Sequence, residues 1–365
     1  MPVAVRRRRS KDPRVEILGE AARGAAAHAA RAVAAGLPPE EGIPSFLASA
    51  SRAFSELPDR LRRKIRKLIA AGLPMSLLDG ETLEGIAALL RASASTILED
   101  QRARARGDYE VDEFGLDPGY VERVKPLLRF MYRSWWRVET SGLENVPSEG
   151  RALFVANHSG VIAWDGAMIA TAVMEEHPSG RLPRALHLEW FVRTPFAAGF
   201  LQRTGQVMAC PENGERLLGR GHLVTVFPEG AKGAGKLFHK RYQLARFGRG
   251  GFVRMALRAG CPIIPVAVVG GEEIHPMLFK ADPLARLFGL PYFPVTPTFP
   301  LLGPLGLIPL PSKWLLHFET PIDLSHLPPD ASEDFHVVSQ VSDDVRHRIQ
   351  HRVTELLKRR GAAFF

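Results

Sequence analysis

The chain predicts an α/β domain built on a largely buried sheet, preceded by a helical, basic N-terminal region. Two textures carry this reading. From about Tyr120 onward, apolar runs of strand length alternate with amphipathic runs of helix length, the pattern of a sheet covered by helices. Before about residue 108, strand formers are scarce and Ala, Arg, Leu and Glu recur at helical spacing. Composition permits a sizeable core: 45% of the 365 residues are apolar and 24% are charged, close to ordinary globular usage. Such a length admits one large domain and a smaller one, here 1–108 and 120–365.

The N-terminal region offers three helical segments: EILGEAARGAAAHAARAVAAG ended by Gly36, IPSFLASASRAFSELPDRLRRKIRKLIAAG, and GETLEGIAALLRASASTILEDQRARARG ended by Gly107. In the second, a basic run from Arg60 to Lys67 is interleaved with Leu57, Leu61, Ile65, Leu68 and Ile69, a pattern suited to a membrane interface. An acidic, turn-prone connector, DYEVDEFGLDPGY, follows. YVERVKPLLRFMYRSWW then reads as a helix, and WRVETSG and RALFVANH as strands. DGAMIATAVMEEH reads as a helix with Asp165 as N-cap. RALHLEW is a strand, PFAAGFLQRTG a helix entered through Pro195, PENGERLLGRG a short helix and HLVTVFPEG a strand ending in a turn. RGGFVRMALRAG is a helix closing at Gly260, CPIIPVAVVGG an apolar strand, KWLLHFETPI a further strand and HVVSQVSDDVRHRIQHRVTELLKRRG a closing helix. Between the last two strands, Leu284 to Leu316 is apolar, aromatic and dense in proline. Proline forbids a continuous helix or central strand there. The expectation is a long loop, packed on the core or dipping into lipid or walling an acyl chain.

The formal net charge of +9 favours an anionic partner. Nucleic acid is the weaker choice, because the basic positions of the helical N-terminal region carry no interleaved aromatic residues; an anionic membrane surface fits better. Two cysteines, Cys210 and Cys261, make neither a disulfide framework nor a zinc site and suit a reducing compartment. The basic N-terminus has no apolar run behind it, and no stretch reaches about 18 uninterrupted apolar residues. The expectation is a cytoplasmic protein lying on the inner face of the membrane, with neither signal peptide nor spanning helix.

Chemistry concentrates at two strand ends. RALFVA runs into Asn157-His158-Ser159-Gly160, with Asp165 beyond. An imidazole just past an apolar strand opens onto the crevice of an α/β sheet and accepts a hydroxyl proton at neutral pH. A carboxylate that fixes its tautomer and stabilises the imidazolium improves it, and Asp165 is the nearest. On one continuous helix the two would stand roughly 10 Å apart, so Gly160 has to fold the segment back. The second end is Val226-Phe227-Pro228-Glu229-Gly230, followed by Lys232, Lys236, Lys240 and Arg241 with glycines between. Cations and close backbone approach suit phosphate groups. Gly230 to Lys236 also matches the spacing of a nucleotide phosphate loop, but Leu237 stands where that loop needs Ser or Thr for magnesium. Ser159 lies beside His158 without a nucleophile elbow, which disfavours a serine hydrolase.

Four blocks in order, NHSGVIAWD, GFLQRTGQVMACPENG, VFPEGAKGAGK and CPIIPVAVVGGEEIHP, resemble the glycerolipid and lysophospholipid acyltransferases, from about Ser134 to the C-terminus. The likeness extends to the bacterial diacylglycerol acyltransferase-like branch. It implies a mixed sheet flanked by helices, with a tunnel for an acyl chain. It implies acyl transfer from acyl-CoA or an acyl-carrier protein to a lipid hydroxyl, with no cofactor, no metal and no covalent acyl-enzyme. His158 would be the general base and Asp165 its orienting group. Glu229 and Gly230 would shape the acceptor site, with Lys232 and Arg203 supplying cations there. Pro265 would help form the donor groove and Lys236 would meet donor phosphates. Amides near Ser159 and Gly160 would hold the oxyanion. Two departures stand out. Six residues separate His158 from Asp165, where the family usually has four. The arginines that grip a glycerol phosphate are replaced by GQVMAC and GAKG, which opens the acceptor to neutral acylglycerols. A phospholipid-binding protein without turnover is the alternative reading of the same cleft and basic face.

Overall fold

The computed structural model describes residues 102, 105–107, 110–160, 162, 164–188, 197–301, 303–328 and 330–364. The three N-terminal helical segments, including the basic run from Arg60 to Lys67, lie outside these residues apart from a few positions at the end of the third. The expected entry of the helix PFAAGFLQRTG at Pro195 also lies outside them.

A seven-stranded sheet forms the centre of the larger unit. Its strands are β1 (Glu139–Ser141), β2 (Ala152–Ala156), β3 (Arg184–His187), β4 (Val207–Met208), β5 (Leu223–Val226), β6 (Ile263–Val269) and β9 (Leu315–Phe318), in the order β1-β9-β6-β2-β5-β3-β4. All neighbours run parallel except β6 and β9, which are antiparallel. The sheet is therefore mixed, as the family resemblance implied. β2 and β6 are buried along their whole length, as continuous apolar runs in a doubly covered sheet should be.

Strand side chains alternate between faces. Leu153 and Val155 of β2 join Ile263, Ala267 and Val269 of β6 in one large apolar cluster. That cluster also takes in α4 (Pro211–Gly219), α6 (Gly251–Ala259) and α8 (Phe335–Arg360). Phe154 points the other way and meets Phe318 edge to face, ring centres 5.4 Å apart. α8 owes its place to buried Val338, Ser342, Val345, Ile349, Val353 and Leu356, spaced three or four residues apart. Asp334 caps it, accepting from the His336 and Val337 amides at 2.7 and 3.3 Å. Among the described residues no helix is long and apolar enough to cross a membrane.

α1 (Pro118–Phe130) is followed by a single wider turn, Met131–Trp135, and then Trp136. Trp136 stacks on Trp314 at 4.8 Å and meets Trp164 edge to face at 5.4 Å. Trp164 opens α2 (Trp164–Glu176), so the fully buried Trp136 indole anchors the start of that helix. The sequence pattern marks Asp165 as the N-cap of this helix; instead it sits inside the first turn, and its carboxylate turns back to the preceding loop. Among the described residues, α3 (Ala197–Arg203) and the four-residue α5 (Ala231–Ala234) are the remaining α-helices of this unit.

Residues 275–309 are the described part of a second compact unit. It contains the antiparallel pair β7 (Phe279–Lys280) and β8 (Pro294–Val295), α7 (Asp282–Phe288) and a short turn of tighter helix at Gly303–Leu307. Ala281, Ala285, Phe293 and Val295 make its core. The expected long loop is thus corrected. Prolines rule out long elements here, but short ones tolerate a proline at their start: Pro283 stands in the first turn of α7 and Pro294 opens β8.

Candidate active site

β2, β5 and β6 are parallel neighbours, so their C-terminal ends share one edge of the sheet, where α/β folds open into crevices. β2 delivers Asn157, His158 and Ser159. β5 delivers Phe227, Pro228 and Glu229. β6 delivers Gly270 to Glu273. Asn157 fixes the root of the first loop: its amide donates to the Val268 carbonyl at 2.9 Å and its oxygen accepts from the Val268 amide at 2.8 Å.

The chain then reverses at Gly160, whose φ of +81° is a conformation that side chains disfavour. The reversal brings Asp165 back against the strand end. Its Oδ2 lies 2.9 Å from His158 Nδ1 and accepts from the Ser159 amide at 2.8 Å. Six intervening residues therefore still allow direct contact. A carboxylate only accepts, so the proton of the imidazole sits on Nδ1 and the lone pair on Nε2. Asp165 is fully buried and His158 is 6% exposed. The Phe227 ring stacks on the imidazole at 4.5 Å.

Glu229 lies on the opposite side of the same loop. Its Oε1 accepts from the His158 backbone amide at 2.9 Å and its Oε2 from the Ala245 amide at 2.6 Å. Gly233 lets the two loops touch. A Cβ there would come within 2.5 Å of Glu229 Cβ and 2.9 Å of His158 Cβ.

His158 borders a cavity of about 400 Å³ whose walls include Trp164, Leu186, Leu201, Phe252 and Met255. That volume lies within the usual range for small-molecule pockets, about 300–1,000 Å³. Gly230 also lines it. Glu229 does not; it acts through the His158 backbone. Lys232 is exposed, two residues beyond Gly230.

Four expected site residues are placed otherwise. Pro265 is a strand residue in the middle of the sheet, in register with Val155, its carbonyl accepting from the Glu319 amide at 2.9 Å; it is not in the cavity wall. Arg203 is held by Asp117, at 2.6 Å, with its guanidinium 3.9 Å from the centre of the Tyr120 ring. Lys236 is turned inward, its side chain 9% exposed between Glu229 and Glu272. The Ser159 amide is spent on Asp165, and the Ser159 hydroxyl also faces that carboxylate at 3.4 Å.

Sequence reasoning passed over Asn157, Phe227, Glu272 and Tyr242. The first two stand inside the motifs already singled out. Glu272 and Glu273 are two consecutive acids separated from a fully apolar strand by Gly270 and Gly271 alone, which is the signal that could have marked them.

A His–Asp pair at the end of a central strand, beside an apolar cavity, is an arrangement that can move a proton to or from a molecule held there. Residues 137–269 match the family described as Acyltransferase. An uncharacterized protein of Mycobacterium tuberculosis (strain ATCC 25618 / H37Rv) is 50% identical over 265 residues, 72% of this chain and 74% of that one. One of Mycobacterium leprae (strain TN) is 49% identical over 265 residues, 72% of each chain. The crystal structure of the 1-acyl-sn-glycerophosphate (LPA) acyltransferase PlsC from Thermotoga maritima superposes with a TM-score of 0.46 at 17% identity, covering 75% of this chain and 97% of that one. The chain belongs to the acyltransferase family, and the protein is an acyltransferase.

Proposed function

We propose that the protein transfers a fatty acyl group from an acyl thioester, acyl-CoA or acyl-carrier protein, to a hydroxyl of a glycerolipid or lysophospholipid at a membrane surface. The observation that carries this is the His158–Asp165 pair bordering a largely apolar cavity. The acceptor hydroxyl gives its proton to His158 Nε2 while its oxygen attacks the thioester carbonyl. Asp165 steadies the imidazolium through Nδ1. As the tetrahedral intermediate collapses, the C–S bond breaks and the thiolate takes the proton back from His158. With the Ser159 amide engaged by Asp165, Gly160 is the remaining amide of that pair for the oxyanion, a role worth about 3 kcal/mol when well aligned. The acyl chain occupies the apolar cavity, and Gly230 sets the acceptor side with Lys232 beside it, while Glu229 supports that side from behind by holding the His158 amide.

The segment joining β5 to α6 supports docking on an anionic, cytoplasm-facing membrane surface. From Gly230 to Gly260 it contains no acidic residue, and Lys232, Lys240, Arg241, Arg246 and Arg249 are all exposed. Clusters of this kind favour anionic lipid.

Incubating purified protein with labelled acyl-CoA or acyl-carrier protein and a panel of lysophospholipids, monoacylglycerols and diacylglycerols tests the acceptor class. Labelled product from at least one of these acceptors is expected; transfer only to an acceptor of another chemical class contradicts the proposal. Flotation on anionic but not neutral liposomes is expected alongside.

A further inference from the structure

The carboxylate that holds the His158 amide is one end of a buried ionic chain leading away from the cavity. Glu229 Oε2 lies 3.3 Å from Lys236 Nζ. That ammonium also donates to Glu272 Oε1 at 2.9 Å, and Glu272 Oε2 accepts from the Tyr242 amide at 2.7 Å. The Tyr242 hydroxyl donates to Glu273 and accepts from the Gly270 amide at 3.1 Å and from Arg360 at 2.9 Å. Arg360 in turn grips Glu273 with both terminal nitrogens, at 2.8 and 3.0 Å. The chain thus spans three sequence-distant pieces: the loop after β5, the end of β6 and the last residue of α8.

Formal charges in this chain do not balance. Among the described residues, Glu229, Glu272 and Glu273 are paired with two cations, Lys236 and Arg360. Buried surplus charge is relieved by taking a proton. Burial, with the charge of Glu229 adding to it, lifts Glu272 to about 7, against the pull of Lys236 and the Tyr242 amide. Lys236 stays above the ordinary lysine value: burial opposes its charge, but Glu272 and Glu229 together outweigh that. The ammonium is therefore firmly charged, and Glu229 is the partner that also touches the catalytic loop.

We propose that Lys236 is a positioning residue of the acyl-transfer site: through its contact with Oε2 it keeps Glu229 seated on the His158 amide, and so holds the imidazole in place at the cavity. This rests on His158 being the base. It replaces a phosphate-gripping role for Lys236, because an ammonium shared between two buried carboxylates has little left to offer a substrate anion.

The two roles separate kinetically. Lys236→Met is expected to lower kcat by about 10- to 100-fold, the scale of a displaced catalytic group, with KM for acyl-CoA nearly unchanged; Lys236→Arg should recover most of the loss. A Lys236→Met enzyme with raised KM and wild-type kcat overturns the proposal, as does wild-type behaviour in both constants. Because Lys236→Met strands two buried acids, the double variant Lys236→Met/Glu272→Gln, which removes one charge of each sign, is read beside it. The same kcat loss is expected, and wild-type kcat in the folded double variant overturns the proposal. Amide hydrogen exchange gives a readout independent of turnover: the His158 N–H should exchange faster in both Met variants, and unchanged protection counts against the proposal. His158→Ala, run in parallel, keeps the two failures apart. If it retains wild-type rate, the base assignment falls and takes this inference with it. If it is inactive while Lys236→Met is not, only this inference falls.

Discussion

Two residues decide whether the site can form at all. Asp165 is fully buried and gives a single oxygen to both the His158 ring and the Ser159 amide. Asp165→Asn keeps the shape but can present an NH₂ group to Nδ1, which favours the wrong tautomer. A fall in kcat of up to about 10⁴-fold is expected, the loss seen when a buried orienting carboxylate is amidated, with little change in thermal stability. Gly233 is the contact point between the two catalytic loops. Gly233→Ala places a methyl 2.5 Å from Glu229 Cβ, and such overpacking costs about 1–3 kcal/mol. A lowered Tm together with lost activity is expected; an alanine variant with wild-type Tm and rate contradicts the close approach. The His158–Asp165 and Glu229–Gly230 motifs were legible in the sequence because each is compact and sits at the end of an apolar strand. The pairing of Lys236 with Glu272 was not, because 36 positions separate them and nothing local announces a partner.

The elements were legible where hydrophobic period and punctuation agreed. α6 closes at Gly260, in left-handed conformation, and β2 and β6 are the buried runs their composition suggested. Legibility failed for short pieces. β4 has two residues, too few for a period to show. β7, α7 and β8 are cut so short by proline that their sequence reads as loop. Asp165 looked like a cap because it precedes a helical pattern, yet tertiary partners claim its carboxylate. At this scale α8 offers a control. Asp334 caps it far along the helix from Arg360, so Asp334→Ala should cost about 0.5–2 kcal/mol of stability and leave kcat unchanged. Urea denaturation beside the acyl-transfer assay checks both; an activity loss at equal stability contradicts the separation of cap and site.

Across the whole molecule, the buried ionic chain ties three distant segments to the catalytic loop, and its charge imbalance gives stability a pH dependence of known sign. Glu272 binds its proton more tightly in the folded state, at about 7, than at the ordinary glutamate value of 4.5. Its contribution to stability is therefore full below pH 4.5 and is lost as pH rises towards and through 7. Several histidines with lowered values, among them His187 and His222, where burial is the largest cause, work in the opposite direction. The difference between wild type and Glu272→Gln isolates the glutamate. The stability of wild type relative to that variant should decline between pH 5 and 8, followed by urea midpoint; a constant difference contradicts the shift. The mixed sheet was foreseeable only through family resemblance, since nothing in the apolar run of β9 marks it as antiparallel to β6.

The central claim is that His158 removes the acceptor proton. The direct measurement is kcat/KM for His158→Ala against wild type, with the acceptor that turns over best and with folding checked by circular dichroism. A loss of about 10²- to 10⁴-fold is expected for removal of a general base. Equal rates from the folded variant contradict it.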